Sequence, residues 1–126
     1  MVEIDKYTKL VKELREIKSV KFFGVYKMDE ITDRWSLLLG LTGVKNLDKR
    51  KTMFNKIFQL INTHLNKDDM QNIARIGLFS TTEHLIKDLM KSPDNTVVIN
   101  TKANGNFIHD GYTFISKNSK IDNLPQ

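Results

Sequence analysis

The residue types that most often carry catalysis or bind metal ions are few and scattered in this chain. The three histidines, His64, His84 and His109, have no spacing of three or four residues that would place two imidazoles on one side of a helix. There is no cysteine, which excludes a thiolate zinc site, a disulfide and a cysteine nucleophile. The sequence therefore predicts no catalytic residue, no metal and no cofactor.

Carboxylates occur in two local groups, and each group has a structural explanation. Asp29, Glu30 and Asp33 lie in a polar segment between two apolar stretches, and Asp68 and Asp69 are adjacent in another. Aspartate favours turns and the first turn of helices, where its carboxylate accepts hydrogen bonds from free backbone amides. The G-x-S-x-G motif of a hydrolase serine does not occur. An enzyme, such as a small nuclease, would need residues that converge only in the fold.

Positive charge is concentrated in the first half of the chain. The 126 residues include 20 Lys and Arg against 15 Asp and Glu, a net charge of +5, and residues 1–63 carry 13 of these cations but only 8 of the acids. Within residues 45–56 a single acid, Asp48, opposes five cations. Those five are the candidate residues for binding nucleic acid or another polyanion: Lys45, Lys49, Arg50, Lys51 and Lys56.

Three of these cations fall where a helix is predicted to begin. Lys49, Arg50 and Lys51 lie in its first turn, where the helix dipole disfavours each positive charge by about 0.3–1 kcal/mol. A bound anion would reverse this penalty by using free amides after Gly43 together with the cationic side chains. The simpler interpretation is that the three side chains are long and solvated.

Apolar periodicity predicts three main helices. Residues 3–17 carry an apolar stripe at helical spacing, and residues 47–65 carry a wider one. The buried face of the second helix is predicted to contain Met53, Phe54, Ile57, Phe58, Ile61 and Leu65. Its phenylalanines are therefore expected to add no base-stacking surface beside the cations. Ser80 and Glu83 have capping-box spacing and predict a third helix that ends before Pro93. Residues 67–72 are predicted to form a short helical turn.

Alternating and β-branched segments predict the strands. They lie at residues 19–28, 35–41, 73–79 and 96–102. Gly24 interrupts the alternation of the first strand, which indicates a bulge or a close contact. Asn104-Gly105 and Asp110-Gly111 are both hairpin signals, because a type I′ turn needs positive φ at its two central residues. Together they predict a three-stranded meander with residues 107–109 as its short middle strand.

The element order predicts an α+β fold. Long helices connect some strands and tight turns connect others, which favours a mixed or mainly antiparallel sheet of five to six strands in a single layer, with three main helices packed on it. Residues 1–117 are predicted to form one domain and residues 118–126 a loose C-terminal tail. The predicted core contains Val20, Phe22, Trp35, Leu37, Leu39, Ile76, Leu78, Val98, Phe114, Leu14, Phe58, Ile61 and Leu89.

The overall composition is that of an ordinary globular protein. Hydrophobic residues make up 40% of the chain and charged residues 28%, and no apolar run approaches the roughly 18 residues of a membrane-spanning helix. Residues 1–12 alternate charged and apolar side chains, unlike a signal peptide. The expectation is a cytoplasmic protein that has no membrane partner.

Three functional hypotheses remain open at this point. The first is a small non-enzymatic binding domain that contacts nucleic acid or another polyanion through the basic helix start. The second is a protein–protein interaction or regulatory module that acts as a homodimer through a sheet edge or an exposed apolar face. The apolar hairpin at residues 22–41 would favour this homodimer hypothesis if helices cover only one face of the hairpin. The third is the small enzyme described above.

Overall fold

The described part of the chain folds around one mixed five-stranded sheet, which confirms the predicted α+β class. The computed structural model describes residues 1–29, 31–44 and 46–117. Its elements in chain order are a 3-10 helix at Ile4–Tyr7, α1 at Thr8–Glu16, β1 at Val20–Met28, β2 at Ile31–Leu41, α2 at Leu47–His64, α3 at Lys67–Gln71, β3 at Ile73–Ser80, α4 at His84–Leu89, β4 at Thr96–Ala103 and β5 at Asn106–Ser116.

The strand order across the sheet is β3-β2-β1-β5-β4. β1 pairs antiparallel with both β2 and β5, and β4 pairs antiparallel with β5. Of the strands described, only β3 is parallel to its neighbour, β2, because α2 and α3 carry the chain back before β3 begins. β3 and β4 are therefore the two edge strands, and β1 lies at the centre.

Helices cover both faces of this sheet. On one face, the apolar sides of α1 and α2 pack on Phe23, Val25, Leu37 and Leu39. On the other face, α4 packs with Phe22, Tyr26, Met28 and Leu38. Each fully buried apolar side chain of this kind stabilises the fold by about 1.5–3 kcal/mol. The described residues of the hairpin at 22–41 are thus covered on both faces and offer no exposed apolar face to a second copy.

Most of the predicted core residues are buried, from Leu14 of α1 to Phe114 of β5. Trp35, Ile76 and Leu78 are half-buried and pack against the core between the sheet and α1 and α2. Phe58 is the exception, because 37% of it is exposed.

Gly24 makes the close contact that its position in β1 indicates. A Cβ atom on Gly24 would lie 2.1 Å from the hydroxyl oxygen of Tyr26, whose ring lies over the glycine. The Tyr26 hydroxyl is 2.6 Å from the hydroxyl of Thr113. Burial raises the pKa of Tyr26 above its ordinary value, so this side chain stays neutral. A shift in the pairing of β1 with β5 also falls between Phe23 and Gly24.

The predicted three-stranded meander is wrong, because β5 runs without interruption past Asp110 and Gly111. Only the Asn104-Gly105 signal forms a turn, with φ values of 47° and 79°. Gly111 instead pairs with Tyr26 of β1, and a Cβ atom there would lie 2.3 Å from the Tyr26 ring. This glycine therefore permits close packing between neighbouring strands and does not turn the chain.

The shorter predicted helical features are present with small differences. The side chain of Asn66 accepts from the Asp69 amide while Asp69 accepts from the Asn66 amide, a complete capping box for α3. Glu83 accepts from the Ser80 amide at 2.8 Å, although α4 begins only at His84. No helix within the described ranges is both long and apolar enough to cross a membrane. The predicted tail at 118–126 and Lys45 lie outside the described residues.

Candidate functional site

The first turn of α2 is capped by its own sequence. The Asn46 side-chain oxygen accepts hydrogen bonds from the amides of Asp48 at 2.8 Å and Lys49 at 3.3 Å, and the Arg50 amide donates to the Asn46 carbonyl. These amides are therefore already satisfied and are not free to bind an anion. What this end of α2 offers to an anion is the set of cationic side chains.

Replacing Asn46 by alanine is expected to destabilise the fold by about 1 kcal/mol, because the amides of Asp48 and Lys49 would lose their acceptor. Urea unfolding followed by circular dichroism measures this loss. Asn55→Ala is the matched control, since Asn55 is exposed in the helix interior and alanine is a better helix former there. Equal stabilities of the two variants would contradict the capping role.

The predicted cations do not form one patch, because they lie on two sides of α2. Residues three or four positions apart lie on the same side of a helix. Lys49 contributes to a shallow depression beside Thr42 and Met53. Lys56 lies seven positions after Lys49 and therefore on the same side of the helix. The opposite side carries what we call the basic–aromatic face: Leu47, Arg50, Lys51, Phe54 and Phe58.

Phe54 and Phe58 are exposed, and the prediction that they are buried is wrong. Phe54 is 38% exposed and Phe58 37%, and their rings stack with centroids 5.9 Å apart and planes 14° apart. Ile57 and Ile61, both fully buried, occupy the positions that face the sheet. Because each residue turns the helix by about 100°, the phenylalanines lie to one side of this contact. No local signal in the sequence separates them from the buried positions, because both phenylalanines fit the same helical periodicity.

An open groove lies between the basic–aromatic face and the edge of the sheet. Its volume is about 430 Å3, and its lining combines apolar, aromatic and cationic side chains: Leu47, Arg50, Lys51, Phe54, Asn55 and Leu78. Leu47 is 65% exposed, and Leu78 is half-buried on the edge strand β3. Among the strands that the structure describes, β3 is the last on this side, and none of them covers Phe54.

The charge of the basic–aromatic face is not neutralised within the described part of the chain. No carboxylate among those residues comes within ion-pair distance of Arg50 or Lys51. Asp48, the one acid of the first turn, is not part of the groove lining. The groove therefore combines a positive rim with an apolar and aromatic floor, which suits a ligand that carries both anionic and planar apolar groups.

The histidines form separate contacts. His64 Nε2 lies 2.5 Å from Glu13 Oε2 between α2 and α1, and His109 Nε2 lies 2.8 Å from Asp29 Oδ1 at the surface. His84 is exposed at the start of α4. Among the residues that the structure describes, no three His, Asp or Glu side chains are grouped as metal ligands.

A second cluster of charged groups joins the N-terminal segment to α3. The Lys6 ammonium contacts Asp69 at 2.6 Å and Glu3 at 2.8 Å. The hydrogen bond to Asp69 raises the pKa of Lys6, and the same bond lowers the pKa of the Asp69 carboxyl. The adjoining cavity is only about 110 Å3. Tyr7 lines this cavity, and burial of its side chain raises the pKa of Tyr7 to about 12. This cluster connects elements of the fold and offers little room for a ligand.

No protein-family model matches the chain, and no curated protein or solved structure is significantly similar to it.

Proposed function

We propose that this chain is a non-enzymatic binding domain that contacts single-stranded nucleic acid through the basic–aromatic face of α2. The observation that carries the proposal is the exposed, stacked pair of Phe54 and Phe58 beside Arg50 and Lys51. Proteins that bind single strands without sequence preference combine a positive groove with aromatic side chains on which bases stack. Both parts are present on one side of one helix.

Each part of the face has a distinct role in this proposal. The Arg50 guanidinium offers two parallel donors to a phosphate, and Lys51 adds a mobile point charge. Phe54 offers part of its ring to a base, and Leu47 and Leu78 extend the apolar floor of the groove. An inorganic polyanion such as polyphosphate would use the cations but has no group that benefits from the aromatic floor.

A preference for single strands follows from the same arrangement. Bases in a duplex are already stacked and paired, so Phe54 could reach one only after it is displaced, at a cost of a few kcal/mol. In a single strand the bases are available to aromatic side chains. The proposed domain therefore binds single strands more tightly than a duplex of the same length.

Fluorescence anisotropy with labelled single-stranded and duplex oligonucleotides tests the proposal. Phe54→Ala is expected to weaken single-strand binding by about 1–2 kcal/mol, or roughly 5- to 30-fold, through lost stacking. Arg50→Gln combined with Lys51→Gln is expected to reduce the slope of log affinity against log salt by about 1.4, because each lost phosphate contact accounts for about 0.7.

The controls separate specific contacts from general charge. Lys12→Gln combined with Lys18→Gln removes the same charge from exposed positions outside the groove and is expected to retain the wild-type slope. Neutralising Arg50 and Lys51 is expected to leave the free energy of unfolding unchanged or slightly higher, since cations near a helix start are unfavourable. The absence of salt-sensitive binding, or an unaffected Phe54→Ala variant, would contradict the proposal.

A further inference from the structure

The second edge strand of the sheet, β4, carries two large aliphatic side chains that the fold leaves uncovered. Val97 and Ile99 are each 53% exposed, while Val98 between them is buried in the core beneath α4. Val97 pairs with Tyr112 of β5, which belongs to the core on the opposite face of the sheet. Within the described residues, β4 pairs with β5 alone, so its outer edge has no strand partner.

The first half of this edge lacks the devices that normally prevent strands from pairing. Natural edge strands are protected by charged side chains, proline, bulges or a covering helix. Residues 96–99 read Thr-Val-Val-Ile, contain neither a charge nor a proline, and pair with β5 without interruption. The strand bends only after Ile99, at Asn100, which has a left-handed φ of 47°. Because of this bend, Val98 and Ala103 reach the same core although they are five positions apart, a spacing that would put them on opposite faces of a regular strand.

We propose that β4 pairs antiparallel with β4 of a second copy of this chain, about a two-fold axis at Val98. In this register Val97 of each copy lies directly opposite Ile99 of the other. Residues opposite each other in an antiparallel pair project from the same face. The four side chains that are exposed in the monomer would then form one apolar cluster, and two five-stranded sheets would join into one of ten strands.

Charge favours this edge over the other one for self-association. Between Thr96 and Asn100, pairing about Val98 brings no charged groups together. The only charged residue of the strand, Lys102, lies beyond the bend at Asn100 and so outside the paired segment. Pairing at β3 would instead bring the unneutralised Arg50 and Lys51 of two copies toward each other, which is unfavourable.

The size of the contact sets the expected strength. Pairing of one short strand with four aliphatic side chains falls below the roughly 1,200 Å2 of a standard interface, so the dimer is weak and concentration-dependent. β4 and β3 lie at opposite edges of the sheet, so dimerisation leaves the basic–aromatic face open. Dimerisation through β4 is therefore independent of nucleic-acid binding at α2.

Sedimentation velocity of the full chain, from about 10 μM to about 1 mM, tests the association. The wild type is expected to shift from monomer toward dimer over this range. Ile99→Lys is expected to weaken dimerisation roughly tenfold or more, because a lysine would enter the paired strands beside Val97. Ile4→Lys is the matched control on a different exposed isoleucine and is expected to behave as wild type. A wild type that stays monomeric throughout, or an equal effect of both variants, would overturn the proposal.

Disulfide formation between variants tests the register, and the natural chain has no cysteine to interfere. A mixture of Val97→Cys and Ile99→Cys proteins is expected to form the mixed disulfide on mild oxidation, since directly opposite Cβ atoms lie about 4.5–5.5 Å apart. Either variant alone is expected to crosslink far less, because its two cysteines would be diagonal neighbours about 7–8 Å apart. Equal crosslinking in all three samples would overturn the Val98-centred pairing.

Discussion

Replacing Gly24 by alanine is expected to destabilise the fold by about 3 kcal/mol, a large part of the total for a domain of this size. The new methyl group would lie 2.1 Å from the Tyr26 hydroxyl oxygen and 2.3–2.4 Å from ring carbons. The ring cannot move away without cost, because Tyr26 is fully buried, bonded to Thr113 and stacked near Phe22. Gly24 does not have a left-handed φ, so the cost comes from this contact.

Urea unfolding of a small set of variants tests this origin. Gly43→Ala is the control, because nothing lies within 4 Å of its Cβ position and only its left-handed φ of 73° opposes the change, at about 1 kcal/mol. The double variant Gly24→Ala with Tyr26→Leu is expected to lose less than the sum of the single losses, since the ring that causes the clash is gone. A Gly24→Ala variant as stable as Gly43→Ala would show that Tyr26 relaxes freely.

The second large effect is expected from Asp94→Ala, at about 2 kcal/mol. Asp94 lies before β4, and its carboxylate accepts from Arg15 Nη1 of α1 at 2.9 Å and from the Ser116 amide of β5 at 2.5 Å. Arg15 also donates to the Phe114 carbonyl at 2.9 Å. The carboxylate thus holds together three parts of the chain, although partial exposure of both charged side chains weakens each bond.

A double-mutant cycle separates this network from general surface effects. Arg15→Met and Asp94→Ala are expected to be non-additive by about 1 kcal/mol, because either change alone already breaks their shared bond. Asp33→Ala, at an exposed position of β2, is the control and is expected to change stability by less than about 0.5 kcal/mol. Additive losses at Arg15 and Asp94 would contradict the shared role.

The bounds of α2 and α3 followed closely from local signals in the sequence, whereas α4 begins four positions after its predicted cap at Ser80. The helix predicted at residues 47–65 is α2 at Leu47–His64, and the short helical turn predicted at residues 67–72 is α3 at Lys67–Gln71. Such signals act within a few residues: a cap satisfies amides of the next turn, and an apolar stripe repeats with the helix period. They do not depend on where the rest of the chain lies.

The errors arose where a residue's role depends on a distant partner. Asp110-Gly111 has the composition of a turn, yet Gly111 is required by the ring of Tyr26, 85 positions earlier in the chain. The same holds for Phe54 and Phe58, which carry an apolar pattern that is typical of a buried helix face. Their exposure depends on the sheet ending at β3, which no local pattern encodes.

The sequence by itself determined the α+β class, the positions of most helices and strands, and the excess of cations near the start of α2, because these depend on composition and on interactions between near neighbours. Only the tertiary structure decided which side of α2 carries Arg50 and Lys51, that Phe54 and Phe58 lie exposed with them, and which strands form the edges. The physical reason is that exposure depends on what packs against a residue, and those partners come from segments far apart in the chain.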